Sequence, residues 1–471
     1  MDNKNVLHKK YGLLTAICAV VGIIIGSGVF FKAQSVIVAA NGKMSVAIGI
    51  VVAMGVIMFV CAFTFSTLAG QYEKVNGLVD YAECTVGTKY AYLVNWFTTI
   101  VYTPIITGVL AWVSARYFCI LIGKAPFGKL HIILSFVFLT AIFVMNLLSP
   151  KLAGKFQVST TFIKLVPLFV MGVVGTVSGL INGTTIETFT NAANTGGIVE
   201  TSFFSGIASF AFAYEGWIVI TALNSEIKNS KRNLPLALVI GCAIAIGIYV
   251  LYYVGIASVL TPDQIYNSED IPKQAFTTLF KSEIFGSVIY AFIVVSCLGT
   301  TNALMMGCTR GVYSMAVRGE GIAPSKFAKV NKKTDMPTAS AFAGFLLAAF
   351  WATHFIVCFQ LPIINGVETV PPSFRWESDE IVILTMYVTY IPIFIAFMRK
   401  AGKDIGVVRR FVTPSLAILA CLFCAYSAYR AYNANGMVYN YLVTFALILL
   451  VGIFLYNGKP GFSFFKKSES K

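Results

Sequence analysis

Long apolar runs separated by short polar segments recur along the whole chain. Most runs are about 20 residues or longer, which is the length an α-helix needs to cross the hydrocarbon core of a bilayer. The predicted spans cover residues 12–41, 45–70, 91–122, 129–148, 155–182, 202–224, 234–260, 283–317, 337–358, 380–399, 408–430 and 437–457. The pattern therefore predicts an all-α polytopic membrane protein with twelve transmembrane helices.

The first span is interrupted near its middle by Gly22, Gly26 and Gly28, with Ser27 between the last two. Glycine costs about 1 kcal/mol relative to alanine in a helix interior. A break at this depth leaves backbone groups that lipid cannot satisfy, so it is tolerated only inside protein or along a cavity, as in the substrate sites of transporters. The alternative is a small-residue packing face, which the spacing of Gly22 and Gly26 also fits.

The sixth span carries a second interruption, at Phe210-Ala211-Phe212-Ala213-Tyr214-Glu215-Gly216-Trp217. It follows the first by five spans, and interrupted helices at corresponding positions of two halves indicate an inverted repeat with the site between the halves. The sequence thus predicts a five-plus-five inverted repeat with broken helices 1 and 6. The predicted division is 1–182 for spans 1–5, 183–400 for spans 6–10, and 401–471 for the last two spans and the tail.

The two breaks offer complementary backbone groups. N–H groups near Ser27, Gly28 and Val29 begin a half-helix, and the N-terminus of a helix attracts an anion such as a carboxylate. Unwound carbonyls around Phe212 and Ala213 can accept hydrogen bonds from an ammonium group. A site that holds both groups is a site for an α-amino acid.

Lys164 is the clearest charged candidate within a span. It lies about nine residues into span 5, on the order of 13 Å from the end at 1.5 Å per residue. A charge at that depth is a functional candidate, whereas the alternative is a side chain that reaches back to the interface. The functional interpretation is a fixed cation that holds helix 1 to helix 8, where a sodium-coupled relative would place its ion.

Three further features keep more than one interpretation. Glu215 either faces the substrate ammonium, pairs with Lys164, takes up a proton as the transport ion, or makes a structural hydrogen bond. Phe212 is either an aromatic gate over the substrate or a core residue. A polar patch in span 8 either faces Lys164 or packs helices; it consists of Ser296, Gly299, Thr300, Thr301 and Asn302.

Composition and charge agree with a membrane protein. Of the 471 residues, 57% are hydrophobic and 12% are charged, whereas soluble domains have about 25% charged residues. With the N-terminus in the cytoplasm, 24 Lys and Arg fall on the inside and 9 on the outside, Lys32 among the latter. This asymmetry follows the positive-inside rule, predicts a multi-pass protein of the cell membrane with both termini cytoplasmic, and explains the net charge of +15 without a nucleic-acid partner.

The cysteines and histidines do not suggest a metal or a cofactor. Most of the ten cysteines lie inside apolar segments, where they read as small core residues. His8, His131 and His354 are far apart in sequence. The spans contain no nucleophile with a paired base, so we expect neither a catalytic residue nor a metal, and no cofactor.

Over nearly its full length the chain resembles the amino acid–polyamine–organocation transporter superfamily. Three stretches carry the resemblance: Gly26-Ser27-Gly28-Val29-Phe30; Phe212 to Trp217 with the following Asn224 to Pro235; and Arg310-Gly311-Val312-Tyr313-Ser314-Met315-Ala316 with the later Gly321-Ile322-Ala323-Pro324. The Ala-Tyr-x-Gly-Trp motif and the helix 5 lysine look most like the L-type branch and its bacterial serine/threonine and alanine/serine/cysteine exchanger relatives.

The resemblance implies the five-plus-five fold with two extra helices and sodium-independent transport. It implies that Ile24, Ser27 and Gly28 hold the substrate carboxylate. It also implies that Phe212 gates the pocket, and that Lys164 corresponds to the family's helix 5 lysine. Glu215 stands where several relatives have glycine or aspartate. The predicted substrate-binding set is Ile24, Gly26, Ser27, Gly28, Phe212, Ala213, Tyr214 and Glu215.

The leading hypothesis is secondary transport, by exchange or uptake, of small neutral L-amino acids through alternating access. The alternatives are proton-coupled symport of another amino acid or an amine, and, from another class, a membrane nutrient sensor. A sensor would need a soluble output domain, and the predicted tails are short. The expected partners are an amino acid substrate and the lipid bilayer, with protons in the symport alternative and no obligatory protein partner.

Overall fold

A computed structural model describes residues 12–26, 28–72, 77–191, 193, 203–268, 270–331, 336–365, 370–375, 377–402, 405–433 and 436–456. The α-helices in these residues are α1 Leu13–Ile24, α2 Gly28–Phe31, α3 Ala33–Ala39, α4 Met44–Gln71, α5 Leu78–Thr85, α6 Thr88–Phe97, α7 Thr103–Leu121, α8 Lys129–Leu148, α9 Pro150–Phe169, α10 Thr176–Asn182, α11 Thr184–Thr190, α12 Phe203–Ala211, α13 Ser230–Val259, α14 Pro262–Asn267, α15 Ile271–Phe280, α16 Glu283–Ala316, α17 Pro324–Phe327, α18 Thr338–Phe355, α19 Leu361–Asn365, α20 Ser378–Lys400, α21 Thr413–Tyr432 and α22 Met437–Phe454. Single π-helical stretches at Thr98–Tyr102, Val170–Gly175 and Ile356–Gln360 join α6 to α7, α9 to α10 and α18 to α19.

Among the described residues, eleven helices are long and apolar enough to cross a membrane. They correspond to every predicted span except the sixth. There the chain forms only the nine-residue α12 and, after an interruption, a 3-10 helix at Trp217–Glu226. The prediction of an all-α polytopic membrane protein is confirmed, while the count of twelve spans stays a prediction.

The chain divides into two compact units. The first consists of Met1–Val86, Thr161–Ser296 and Ile383–Ala431, and the second of Gly87–Thr160, Cys297–Val382 and Tyr432–Lys471. This division reflects packing and does not test the internal symmetry, so the repeat boundaries at 182/183 and 400/401 stay a prediction. Both predicted interruptions fall in the first unit.

The first unit is organised around α13, which packs against α1, α4, α10 and the π-helical stretch of Val170–Gly175. Small residues let α10 and that stretch approach α13 backbone to backbone. A Cβ added at Gly175 would lie 3.1 Å from the carbonyl oxygen of Gly255, and one added at Gly179 would meet the backbone of Ser258. Close approach through small residues is the usual basis of helix association inside a membrane.

An aromatic cluster in the first unit contacts the start of the 3-10 helix at Trp217. The ring of Phe65 on α4 lies 5.7 Å from Trp217, 4.9 Å from Tyr390 and 5.0 Å from Phe394, measured between ring centroids. All four side chains are fully buried. The chain that follows the second interruption is therefore held in place by α4 and α20.

The second unit has a core of its own. It is formed by α7, α8, α16 and α18, with Phe143 stacked on Phe345 at 4.5 Å. Asn302 lies buried in this unit: its amide donates to the carbonyl of Ala153 (3.0 Å) and to Gln157 (3.2 Å), and its oxygen accepts from Asn146 (2.9 Å). Asn302 of the predicted polar patch thus packs helices together.

Candidate functional site

The predicted interruption of the first span is confirmed. Helix α1 ends at Ile24, where the N–H of Ile25 still donates to the carbonyl of Val21 at 2.9 Å. Gly26 is not helical and α2 begins at Gly28, with helical hydrogen bonding resumed by the bond from Lys32 N–H to Gly28 (2.9 Å). Ser27, which the sequence predicts to bind the carboxylate, lies outside the described residues.

The second interruption is confirmed as well. After α12 ends at Ala211, two turns follow, closed by bonds from Ala213 N–H to Phe210 and from Glu215 N–H to Phe212. Gly216 has a φ of +101°, and a Cβ added there would also lie 2.7 Å from Ile23. Only glycine adopts this backbone without strain. Gly216 therefore lets the chain turn just before the 3-10 helix begins at Trp217.

The two interruptions contact each other directly. A Cβ added at Gly28 would lie 2.6 Å from the Cα of Ala213 and 3.1 Å from its backbone nitrogen. The start of α2 and the unwound part of helix 6 are therefore packed backbone against backbone. The structure brings together Ile24, Gly26, Gly28, Phe212 and Ala213, all of them buried.

Tyr249 joins the two interruptions and was missed in the sequence. Its hydroxyl on α13 lies 3.0 Å from the carbonyl oxygen of Ile24 and 2.8 Å from that of Ala213. The hydroxyl carries one proton, so the two carbonyls share a single donor. The available signal was a cluster of three tyrosines (Tyr249, Tyr252 and Tyr253) in an otherwise apolar helix.

Lys164 is buried at the end of α1. Only 1% of its surface is exposed, and its ammonium donates to the carbonyl oxygen of Gly22. The last carbonyls of a helix have no partner within the helix, and a cation is favourable at this end. The predicted link from Lys164 to helix 1 is thus observed, whereas the predicted link to helix 8 stays a prediction.

The carboxylate of Glu215 lies within electrostatic range of Tyr387 and Tyr390 on α20. Glu215 itself is 8% exposed. The ring of its neighbour Tyr214 lies 5.0 Å from that of Tyr249, and its hydroxyl points to α4, at 2.9 Å from the position of a Cβ on Gly55. The sequence predicts that Tyr214 and Glu215 both bind the substrate. The side chain of Tyr214 is packed into the core, so Tyr214 would contact the substrate through its backbone.

Phe212 forms part of an aromatic pair with Phe31, edge to face at 6.2 Å between centroids. The ammonium of Lys32 lies 4.9 Å from the centroid of Phe31 and 5.4 Å from that of Phe212. Lys32 is only 4% exposed. The helix restarts at Gly28 and the two rings cover the lysine, so Lys32 is buried, while its assignment to the outer side stays a prediction.

Buried groups of both charges lie at or next to the two interruptions, namely Lys164, Lys32 and Glu215. Among the residues that the structure describes, no group of three or more His, Cys, Asp or Glu side chains is arranged to hold a metal ion. This region offers an unwound backbone on two helices, the buried ammonium groups of Lys164 and Lys32, the buried carboxylate of Glu215 and the rings of Phe31 and Phe212.

Comparison with known proteins agrees with this geometry. The family model for amino acid permeases matches residues 11–467. The chain is 29% identical to the serine/threonine exchanger SteT of Bacillus subtilis (strain 168) over 403 residues, 85% of each protein. It is 24% identical to the aspartate-proton symporter of the same organism, covering 89% of this chain and 78% of that protein, and 27% identical to the b(0,+)-type amino acid transporter 1 of Mus musculus, covering 70% and 67%. The chain therefore belongs to the amino acid permease family and is a multi-pass membrane transporter of amino acids, not an enzyme.

Proposed function

We propose that this transporter exchanges or takes up small neutral L-amino acids, independently of sodium, by alternating access. One observation carries the proposal: the two interrupted helices touch at Gly28 and Ala213 and share the hydroxyl of Tyr249. A movement of either broken helix therefore changes the same small region. Amino acid transport follows from the family, and the proposal adds the substrate class and the independence of sodium.

In this proposal the substrate lies against backbone groups of both breaks. The start of α2, with Gly26, Ser27 and Gly28 beside Ile24, holds the carboxylate, because the first N–H groups of a helix have no partner within it. The segment from Phe212 to Glu215 holds the ammonium. Backbone atoms recognise the two groups common to all α-amino acids, and the close contact of Gly28 with Ala213 favours a substrate with a small side chain.

Sodium independence is supported by Lys164. Its ammonium occupies the carbonyl of Gly22 at the end of α1, so a cation is already present where helix 1 ends. A bound metal ion next to a buried ammonium would be repelled by about 4 kcal/mol at 4 Å with an effective dielectric constant of 20. We therefore assign to Lys164 the place that sodium has in sodium-coupled transporters.

The test is exchange by the purified chain in liposomes. Vesicles loaded with unlabelled L-serine, L-alanine or another amino acid of a panel should accumulate the labelled amino acid from outside. Accumulation should be equal in sodium and in choline buffer. No exchange with any amino acid of the panel would refute the proposed function, and strict dependence on sodium would refute the role of Lys164.

Proton symport is a second candidate, supported by Glu215. Glu215 is buried, and its carboxylate lies within electrostatic range of Tyr387 and Tyr390. A buried carboxylate can take up a proton during transport. Symport predicts net uptake driven by a pH gradient in empty vesicles and its loss in Glu215→Gln. Exchange predicts no net uptake into empty vesicles, with or without the gradient.

The orientation is inferred from charge. The excess of Lys and Arg in the predicted inner loops supports an orientation with both termini on the cytoplasmic side of the cell membrane. Reporter proteins fused to each end, one active only inside and one only outside the cell, test this directly. That the chain works without an obligatory protein partner stays a prediction, which exchange by the purified chain alone would support.

A further inference from the structure

Lys32 places a cation beside the aromatic pair of the proposed pocket. Its ammonium lies 4.9 Å from the ring centroid of Phe31 and 5.4 Å from that of Phe212. An ammonium at these distances is attracted by the ring faces. A lysine that is 4% exposed thus lies against aromatic rings from both broken helices.

The position of Lys32 relates it to the substrate segments. Its N–H donates to the carbonyl of Gly28, so it lies one helical turn beyond Gly28, on the same face of the helix. Gly28 is the residue that touches Ala213, and Phe212 directly precedes Ala213. Lys32 therefore lies one helical turn from the proposed carboxylate site, and its ammonium contacts Phe212, the first residue of the proposed ammonium site.

We propose that Lys32 determines which substrates are accepted by the charge of their side chains. The buried ammonium disfavours amino acids with cationic side chains and favours those with neutral or acidic ones. Two positive charges repel more strongly inside a protein than in water, because the effective dielectric constant is lower. This inference rests on the proposed function and narrows its substrate class.

Glu215 is the other charged residue of the two interrupted segments. Its carboxylate lies near Tyr387 and Tyr390, whereas Lys32 faces Phe31 and Phe212. A substitution of Lys32 leaves Glu215 in place. The comparison between wild type and variant therefore changes the charge at residue 32 and keeps the carboxyl group of residue 215.

The first test needs only the wild-type chain. Inhibition of labelled L-serine exchange in proteoliposomes is compared for L-lysine and L-norleucine, whose side chains differ by the terminal ammonium. L-Norleucine should inhibit at a concentration at least tenfold lower. Equal inhibition by the two would overturn the inference, because a charge filter must separate them.

The second test uses variants. In Lys32→Gln the preference for L-norleucine over L-lysine should fall at least fivefold, and the inhibition by L-aspartate relative to L-alanine should weaken. Lys32→Arg should keep the wild-type preferences. The matched control is Lys273→Gln, which removes a half-exposed lysine that pairs with Glu283 at 3.5 Å and should change neither ratio.

The outcomes separate the inference from the function on which it rests. Exchange of neutral amino acids with unchanged ratios in Lys32→Gln refutes the charge filter and leaves the proposed function intact. If Lys32→Gln is not produced in the membrane, the comparison of L-lysine with L-norleucine in the wild type decides alone. No exchange of any amino acid by the wild type refutes the proposed function itself.

Discussion

Replacement of Gly28 by alanine tests whether the contact between the two broken helices is required for transport. The added methyl group would lie 2.6 Å from the Cα of Ala213, about 0.8 Å less than the 3.4 Å at which ordinary contact begins. The atoms it meets include the Cα and the backbone nitrogen of Ala213. The helices must therefore separate by several tenths of an ångström, since no flexible side chain can give way.

The expected magnitude follows from two opposing effects. Overpacking a close contact costs about 1–3 kcal/mol, while alanine in place of glycine returns up to about 1 kcal/mol of helix propensity. A net cost of about 1–2 kcal/mol corresponds to roughly a fivefold to thirtyfold shift in an equilibrium. Because the strain falls on the proposed substrate segments, we expect Gly28→Ala to reduce the exchange rate at least about fivefold.

The assay is exchange of labelled L-serine by equal amounts of reconstituted protein. The matched control is Gly247→Ala on α13, where an added Cβ meets no atom within 4 Å, so exchange should stay at the wild-type rate. The double variant Gly28→Ala with Ala213→Gly should remain impaired, because the nearest atom is the Cα of residue 213 and not its methyl group. Wild-type exchange by Gly28→Ala would show that the two segments do not need this contact.

Three other changes test further parts of the structure. Lys164→Ala removes the donor to Gly22 and should lower exchange at least tenfold while the amount of protein in the membrane stays similar, measured by quantitative blotting; normal exchange would contradict the role of this lysine. Tyr249→Phe removes one hydrogen bond worth about 0.5–1.5 kcal/mol and should slow exchange about threefold to tenfold. The control Tyr253→Phe should not slow exchange, because the hydroxyl of Tyr253 is buried without a hydrogen-bond partner among the described residues. Equal exchange rates for the two variants would contradict the bridging role of Tyr249. Asn302→Ala leaves buried partners unsatisfied and should lower stability by about 1–3 kcal/mol, seen as a lower unfolding temperature in detergent; an unchanged temperature would mean that the network around Asn302 is not needed.

The spans and both interruptions could be predicted because their signals are local. A run of apolar residues has the same meaning wherever it lies, and Gly26, Gly28 and Gly216 weaken a helix at the positions where they occur. The motif from Phe212 to Trp217 likewise marks its own break. Such features depend on the residues themselves and not on their neighbours in space.

The side chains that complete the site could not be found in this way. Tyr249 reaches Ile24 and Ala213 only because of the rotation of α13 against both broken helices, which is set by packing along its whole length. Lys32 counts as an outer charge in the sequence, and its burial depends on Phe31 and on Phe212, which comes from the other broken helix. From the sequence, Asn302 could either face Lys164 or pack helices. Its hydrogen bonds to α8 and α9 show that it packs helices.

The packing of α10 and the preceding π-helical stretch on α13 bears on the speed of transport. These segments continue α9, which carries Lys164, while α13 carries Tyr249, and the two groups hold neighbouring carbonyls at the end of α1. With Gly175 and Gly179 against Gly255 and Ser258, neither helix can slide without displacing the other. Release of α1 then requires that Lys164 and Tyr249 give up their hydrogen bonds together. A bulkier residue at Gly179, far along the helix from the proposed substrate site, should therefore alter the turnover rate more than the affinity.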